Sequence, residues 1–204
     1  MKNKGIKVLF LYPNTFGMNM LPPAIALFSA ILKKEGHQVE LFDTTYYSVD
    51  HDMDSDNRKM EKGQIVPYNM ASRGIKMHTT DWKDDLKKKV DQYQPDLLAL
   101  SCTEDMWPLG LKILRQVEDY KKDNNIPVIA GGVFSTFAPE IVIKEELIDI
   151  VCKGEGENVL VDLCKKIQNK EDYSDLSNCW IKKDGEIIKK NPISSPVDVD
   201  ANPM

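Results

Sequence analysis

The sequence contains neither a Cys-x-x-Cys pair nor a Cys-x-x-x-Cys-x-x-Cys run. Its four cysteines, Cys102, Cys152, Cys164 and Cys179, stand singly, so neither a zinc site nor an iron–sulfur cluster can be read from them. They are expected to be free, partly buried thiols. Long apolar runs are also missing: none approaches the roughly 18 residues of a membrane span. The charged N-terminus leads into an apolar run that ends at Tyr12-Pro13, which reads as a first strand rather than a signal peptide. A cytoplasmic protein without a membrane partner is the expectation. Lys and Arg number 27 against 32 Asp and Glu, a net charge of −5. That balance argues against a general nucleic-acid surface.

Ligand motifs of common α/β folds are absent too. No G-x-G-x-x-G follows the first strand, and Gly154-x-Gly156 has Val159 where a third glycine is needed. No Gly-Lys-Ser/Thr phosphate loop occurs. The phospho-acceptor aspartate of a receiver domain would fall at Ser101. A flavodoxin-type loop rich in Ser and Thr would have only Thr15. Asp52, Asp54 and Asp56 alternate as in a calcium loop, but the required glycine is Asn57 and the terminal glutamate is Gly63. No nucleophile paired with a base is legible, which ranks a stand-alone enzyme last.

What is present is a five-fold alternation of buried strand and helix. Ile6 to Tyr12 is a near-continuous apolar run suited to a central parallel strand. Pro22-Pro23 starts a helix with an apolar stripe of Ala24, Leu27, Phe28, Ile31 and Leu32, stopped at Gly36. Val39–Phe42 is a second strand. Thr44–Thr80 has no sustained period and far exceeds the usual connection of about 2–6 residues, so it reads as an insertion. Asp81 can cap a helix with Trp82, Leu86 and Val90 inward. Pro95–Ser101 is a third strand, and Pro108–Lys122 a helix. Val128-Ile129-Ala130 is a fourth strand that ends in Gly131-Gly132, with a helix expected from Ala138. Ile148–Cys152 is a fifth. Lys153-Gly154-Glu155-Gly156-Glu157 leads into a helix ending near Lys170, whose stripe Leu160, Leu163, Cys164 and Ile167 makes Cys164 structural. Asp184-Gly185 turns a hairpin between Trp180 and Lys189.

This pattern predicts an α/β fold: a doubly wound, five-stranded parallel sheet of order 2-1-3-4-5, flavodoxin-like or Rossmann-like, with a C-terminal β-hairpin. The expected division is 1–170 for the sheet domain with its insertion 44–80, 171–190 for the hairpin, and 191–204 for a proline-containing linker. Ligands of such sheets bind outside the carboxyl ends of the strands, at the switch point. That edge carries Pro13–Met20, Ser101–Met106 and the paired glycines, which leave backbone bare for a bulky partner.

The ordered set Val8–Pro13, Pro22-Pro23, Gly36–Glu40, Pro95–Ser101, Pro127–Gly132, Lys153–Glu157 and Asp184–Ile187 resembles the cobalamin-binding domain that precedes the barrel of cobalamin-dependent radical S-adenosylmethionine proteins. The resemblance spans nearly everything except Thr44–Thr80. It implies cobalamin as cofactor, with the corrin over the carboxyl edge and the nucleotide tail entering between strands. Ser101 would then hydrogen-bond the benzimidazole, and Gly131 and Gly132 would let the tail pass. The implied binding set is Asn14, Thr15, Phe16 and Gly17 after strand one, Ser101, Cys102, Thr103 and Glu104 after strand three, Gly131, Gly132, Val133 and Phe134 after strand four, and Gly154, Glu155 and Gly156 after strand five.

Two departures from the family pattern matter. Asn14-Thr15-Phe16-Gly17 supplies no histidine where many such domains ligate cobalt, which implies base-off binding without a histidine ligand. Phe134 stands where a histidine often follows the paired glycines. His37, His51 and His78 read as surface or loop residues, His37 at the wrong edge of the sheet. The resemblance further implies a radical S-adenosylmethionine barrel beyond 191–204 that holds a 4Fe-4S cluster and S-adenosylmethionine, in a methyltransferase- or cyclase-like enzyme. This chain alone would not be catalytic. The competing reading is a sensor or interaction domain that kept the fold and lost the corrin, with Phe16, Met18, Met106 and Trp107 filling the space.

Overall fold

A computed structural model describes residues 5–15, 23–49, 59–66, 71–198 and 200. Phe16, Gly17, Met18, His51 and the aspartates Asp52, Asp54 and Asp56 lie outside the described residues.

Strand β1 (Lys7–Tyr12) is followed by α1 (Pro23–Lys34) and β2 (Gln38–Asp43). A 3-10 turn at Ala71–Arg73 precedes α2 (Trp82–Tyr93) and β3 (Leu97–Ser101). Next come α3 (Trp107–Gln116), α4 (Glu118–Asn124) and β4 (Val128–Gly131). Two short helices, α5 (Val133–Phe137) and α6 (Pro139–Val142), lead to β5 (Ile150–Cys152). Helix α7 (Glu157–Asn169) and the strands β6 (Cys179–Lys183) and β7 (Glu186–Lys190) complete the described elements.

One sheet of seven strands runs β2-β1-β3-β4-β5-β6-β7. The first five are parallel in the order expected from the sequence. The hairpin does not stand apart. β6 pairs antiparallel with β5, through Ile150 with Ile181, Val151 with Trp180 and Cys152 with Cys179, and so extends the sheet.

The central strands alternate strictly between two cores, as a period of two requires. Leu9, Leu11, Leu98, Leu100, Val128, Ala130 and Val151 face α2, α3 and the short helices. Val8, Phe10, Tyr12, Leu97, Ala99, Ile129, Ile150 and Cys152 face α1 and α7. Burying each large aliphatic side chain contributes about 1.5–3 kcal/mol, so both layers hold the sheet.

Local chemistry sets the helix ends. Asp81 caps α2, its carboxylate accepting from Lys83 N at 2.8 Å. The expected helix Pro108–Lys122 is broken at Val117, which leaves helical geometry (φ −113°, ψ 10°) while its side chain stays in the core. The expected stripe of α1 also shifts: Ile25 and Leu32 are its buried residues, and Ala24 is exposed. The helix expected from Ala138 is present as α6, with Ala138 at its N-cap, and the additional short helix α5 precedes it because Gly132 (φ +93°) turns the chain at once. Among the described residues no helix is long and apolar enough to cross a membrane.

His37 is not a surface residue. It is 5% exposed, and its Nδ1 accepts the Ile6 N–H at 3.3 Å. The adjoining strand start encloses the ring, which residue type alone does not indicate.

Candidate functional site

Parallel strands place their carboxyl ends in a row, so the loops after β1, β3, β4 and β5 share one rim. Register fixes their neighbours: Leu11 lies beside Leu100, and Ser101 beside Gly131. Each loop then has its own anchor.

The loop after β1 is pinned to the end of β2. Asn14 N donates to Thr44 Oγ1 at 2.9 Å, Thr44 Oγ1 donates back to Asn14 O at 2.8 Å, and Asn14 Nδ2 reaches Thr45 Oγ1 at 2.9 Å. Asn14 and Thr15 are each 1% exposed. Thr15 Oγ1 has no partner among the described residues. A buried hydroxyl left without a partner costs free energy, so its place in the rim calls for an acceptor or donor from elsewhere.

The loop after β4 depends on its glycines in different ways. A Cβ on Gly132 would stand 2.9 Å from Cys102 O, and its φ of +93° already excludes most side chains. That glycine is needed by the protein itself. At Gly131 an added Cβ meets nothing within 4 Å, and the same holds at Gly154. There the backbone faces open space.

Thr136 joins two of these loops. Its hydroxyl donates to Gly132 O and accepts from Gly154 N, both at 3.0 Å. Ser135 Oγ donates to Gly131 O at 3.2 Å.

Under the rim, between α1 and α7, lies a narrow slot of about 50 Å³. Ser101, Gly131, Gly132, Gly154 and Gly156 form its mouth, and Phe10, Phe28, Ala99, Ile129, Cys152 and Leu160 its apolar walls. Five residues singled out from the sequence therefore meet at one opening. The wall residues were missed, because each reads as ordinary core on its own strand or helix. The only sequence signal for them is that they fall on one face at strand ends.

Other expected site residues go elsewhere. Cys102 is buried on the opposite face of the sheet, where burial foremost and Asp105 next push its thiol up to about 12. Thr103 donates to Asp105 in the turn before α3, and Glu104 is exposed there. Val133 points outward, 61% exposed. Phe134 turns into the opposite core, tilted against Trp107 at 5.3 Å. Glu155 faces the chain's later segment, its carboxylate accepting from Val197 N at 2.7 Å.

Neither described histidine lines the slot. His37 sits at the amino-terminal edge of the sheet beside Ile6, and His78 stacks on Tyr47 at 4.0 Å beyond β2. Of the thiols, Cys152 lines the slot and is hydrogen-bonded there. Cys152 donates to Glu155 O at 3.7 Å, and Cys179 is held neutral, its pKa raised by its hydrogen bond with Cys152 and by burial. Among the described residues no cluster of three or more His, Cys, Asp or Glu could hold a metal ion. The rim offers bare backbone at Gly131 and Gly154 above an apolar slot.

Residues 67–164 match the B12 binding domain family. They contain β3, β4, β5 and all of the rim after them. The anaerobic magnesium-protoporphyrin IX monomethyl ester cyclase of Synechocystis sp. is 31% identical over 77 residues, 37% of this chain and 15% of the cyclase. The chain spans about a quarter or less of the curated relatives it matches, 26% at most. Among solved structures, the radical S-adenosylmethionine methyltransferase TsrM of Kitasatospora setae, with cobalamin and a [4Fe-4S] cluster bound, superposes with a TM-score of 0.66. It is 19% identical, and the match covers 98% of this chain and 31% of TsrM. The cobalamin-dependent S-adenosylmethionine radical enzyme OxsB, with aqua-cobalamin, gives a TM-score of 0.67 at 19% identity, over 95% of this chain and 23% of OxsB. The resemblance read from the sequence thus holds in the matched family and in the neighbours' fold.

Proposed function

We propose that this chain binds cobalamin, base-off and without a histidine ligand, as the N-terminal module of a radical S-adenosylmethionine enzyme. The observation that carries this reading is the bare rim. Gly131 and Gly154 present backbone to open space directly above an apolar slot between α1 and α7. The corrin would lie over that rim, and the nucleotide tail would enter the slot past Ser101.

Cobalamin supplies a cobalt centre that carries an alkyl group or an electron; the protein's part is to place it. Thr136 holds the two glycine loops at a fixed spacing, and the walls Phe10, Ile129 and Leu160 keep water from the tail. In the full enzyme, of methyltransferase or cyclase type, a barrel beyond 191–204 would hold the 4Fe-4S cluster and S-adenosylmethionine. On this reading 1–170 is the cofactor domain and 171–190 its hairpin.

Titration with hydroxocobalamin tests the proposal. One equivalent is expected to bind, with a visible spectrum shifted to the base-off form. Reduced to the cob(II)alamin state, the complex should show an electron paramagnetic resonance signal without nitrogen splitting. Failure to bind in this titration overturns the reading. Nitrogen splitting would overturn the base-off, histidine-free part of the reading, since it reports an axial nitrogen from the lower base or from an imidazole. The narrowness of the slot favours a second reading, a fold-retaining sensor domain without corrin, and the same titration separates the two.

A further inference from the structure

One aromatic ring of the slot lining spans from α1 to the start of α7. On α1, Ile25 and Leu32 are buried against the sheet, and Phe28 lies between them on the same face, partly exposed. Its ring stacks on Phe10, centroids 6.3 Å apart with 20° between planes. The far side of the ring reaches α7: a Cβ on Gly156 would stand 3.1 Å from Phe28 Cζ. The ring therefore bridges from one helix to the start of the other, across the opening below Ser101 and Gly131. With Phe28 in its lining, the whole slot is about 50 Å³, room for only a few waters. A planar bicyclic base does not fit in that space.

We propose that Phe28 gates this slot and discriminates against corrinoids that carry a nucleotide tail. The inference rests on the cobalamin reading above. In the resting chain the Phe28 ring occupies the place of the base. To admit a nucleotide tail, the ring must leave Phe10 and Gly156 and turn outward along α1, where it is already part-exposed. Gly156 is what lets the ring rest so close to α7. Because only the open fraction of molecules accepts the tail, the gate slows and weakens entry of any corrinoid that carries one. A corrinoid without a nucleotide has nothing to insert and does not meet the gate.

Stopped-flow absorbance with the 204-residue chain tests this, using cobalamin and cobinamide, which lacks the nucleotide. If the open state is the usual minor population, Phe28→Ala should speed cobalamin association by about tenfold or more. Phe28→Trp should slow it, and cobinamide rates should stay within about twofold of wild type in both. Phe28→Leu, which keeps an apolar side chain against Phe10, guards against a folding defect and should fall between wild type and Phe28→Ala. Equal cobalamin rates in wild type, Phe28→Ala and Phe28→Leu would overturn the gate and leave cobalamin binding standing. An equal change for both corrinoids would overturn it too. Binding of neither corrinoid by any variant would overturn the cobalamin reading and the gate with it.

Discussion

Thr136 Oγ1 accepts the Gly154 N–H at 3.0 Å while donating to Gly132 O at 3.0 Å. A single hydroxyl thereby ties the ends of β4 and β5 across the mouth of the slot. Two loops that carry glycine for openness would otherwise be free to part.

Replacing Thr136 with Val keeps shape and removes both bonds. Because the clasp is partly exposed, the expected loss is about 0.5–1.5 kcal/mol, a fall of about 1–6 °C in Tm for a domain of this size. Amide exchange at Gly154 should also quicken. Thermal denaturation followed by circular dichroism, with exchange read by nuclear magnetic resonance, checks it. An unchanged Tm with unchanged Gly154 exchange would show that the hydroxyl clasps nothing.

The paired glycines should part company under substitution. Gly131→Leu meets no protein atom at its Cβ and needs no left-handed backbone, so the fold should hold while cobalamin binding is lost. Gly132→Ala instead forces a Cβ against Cys102 O at a φ of +93°, and should destabilise the chain by about 1–3 kcal/mol. Urea denaturation and hydroxocobalamin titration of both variants make the comparison. A Gly131→Leu protein that binds as tightly as wild type would remove the rim from the site.

His37 should make stability depend on pH. Burial foremost lowers its pKa from 6.5, with Glu35 opposing that shift and Lys165 adding to it. Its neutral ring accepts the Ile6 N–H on Nδ1, and protonation there destroys the acceptor. The unfolded chain binds this proton more readily than the folded one, so stability rises with pH across the interval. The contribution is complete above about 6.5 and is lost as pH falls through the folded-state value. His37→Leu should be less stable at neutral pH and should flatten this slope. Urea midpoints measured at several pH values test it, and an unaltered slope in His37→Leu would clear His37 of the effect.

Much of the architecture was legible in the chain. Apolar runs such as Val8–Tyr12 and Leu97–Leu100 can only be buried on both faces, and the stripes between them can only be helices laid over those faces. Asp184-Gly185 announced its hairpin because both residues take positive φ, 50° and 82°. The bend at Gly131-Gly132 was equally plain, as few other residues tolerate such a turn. Hidden from the sequence were the break at Val117, the burial of His37 and the joining of β6 to β5. Each depends on a neighbour distant along the chain.

The amino-acid order by itself determined the strands, their sequence across the sheet and the side-chain-free rim, because periodicity and glycine act within a few residues. Only the folded chain decided that Phe28 would cross to Gly156, that Phe134 would turn away, and that Thr136 would span two loops. Those outcomes are contacts between separate segments, and which atoms meet is set by how helices pack on the sheet.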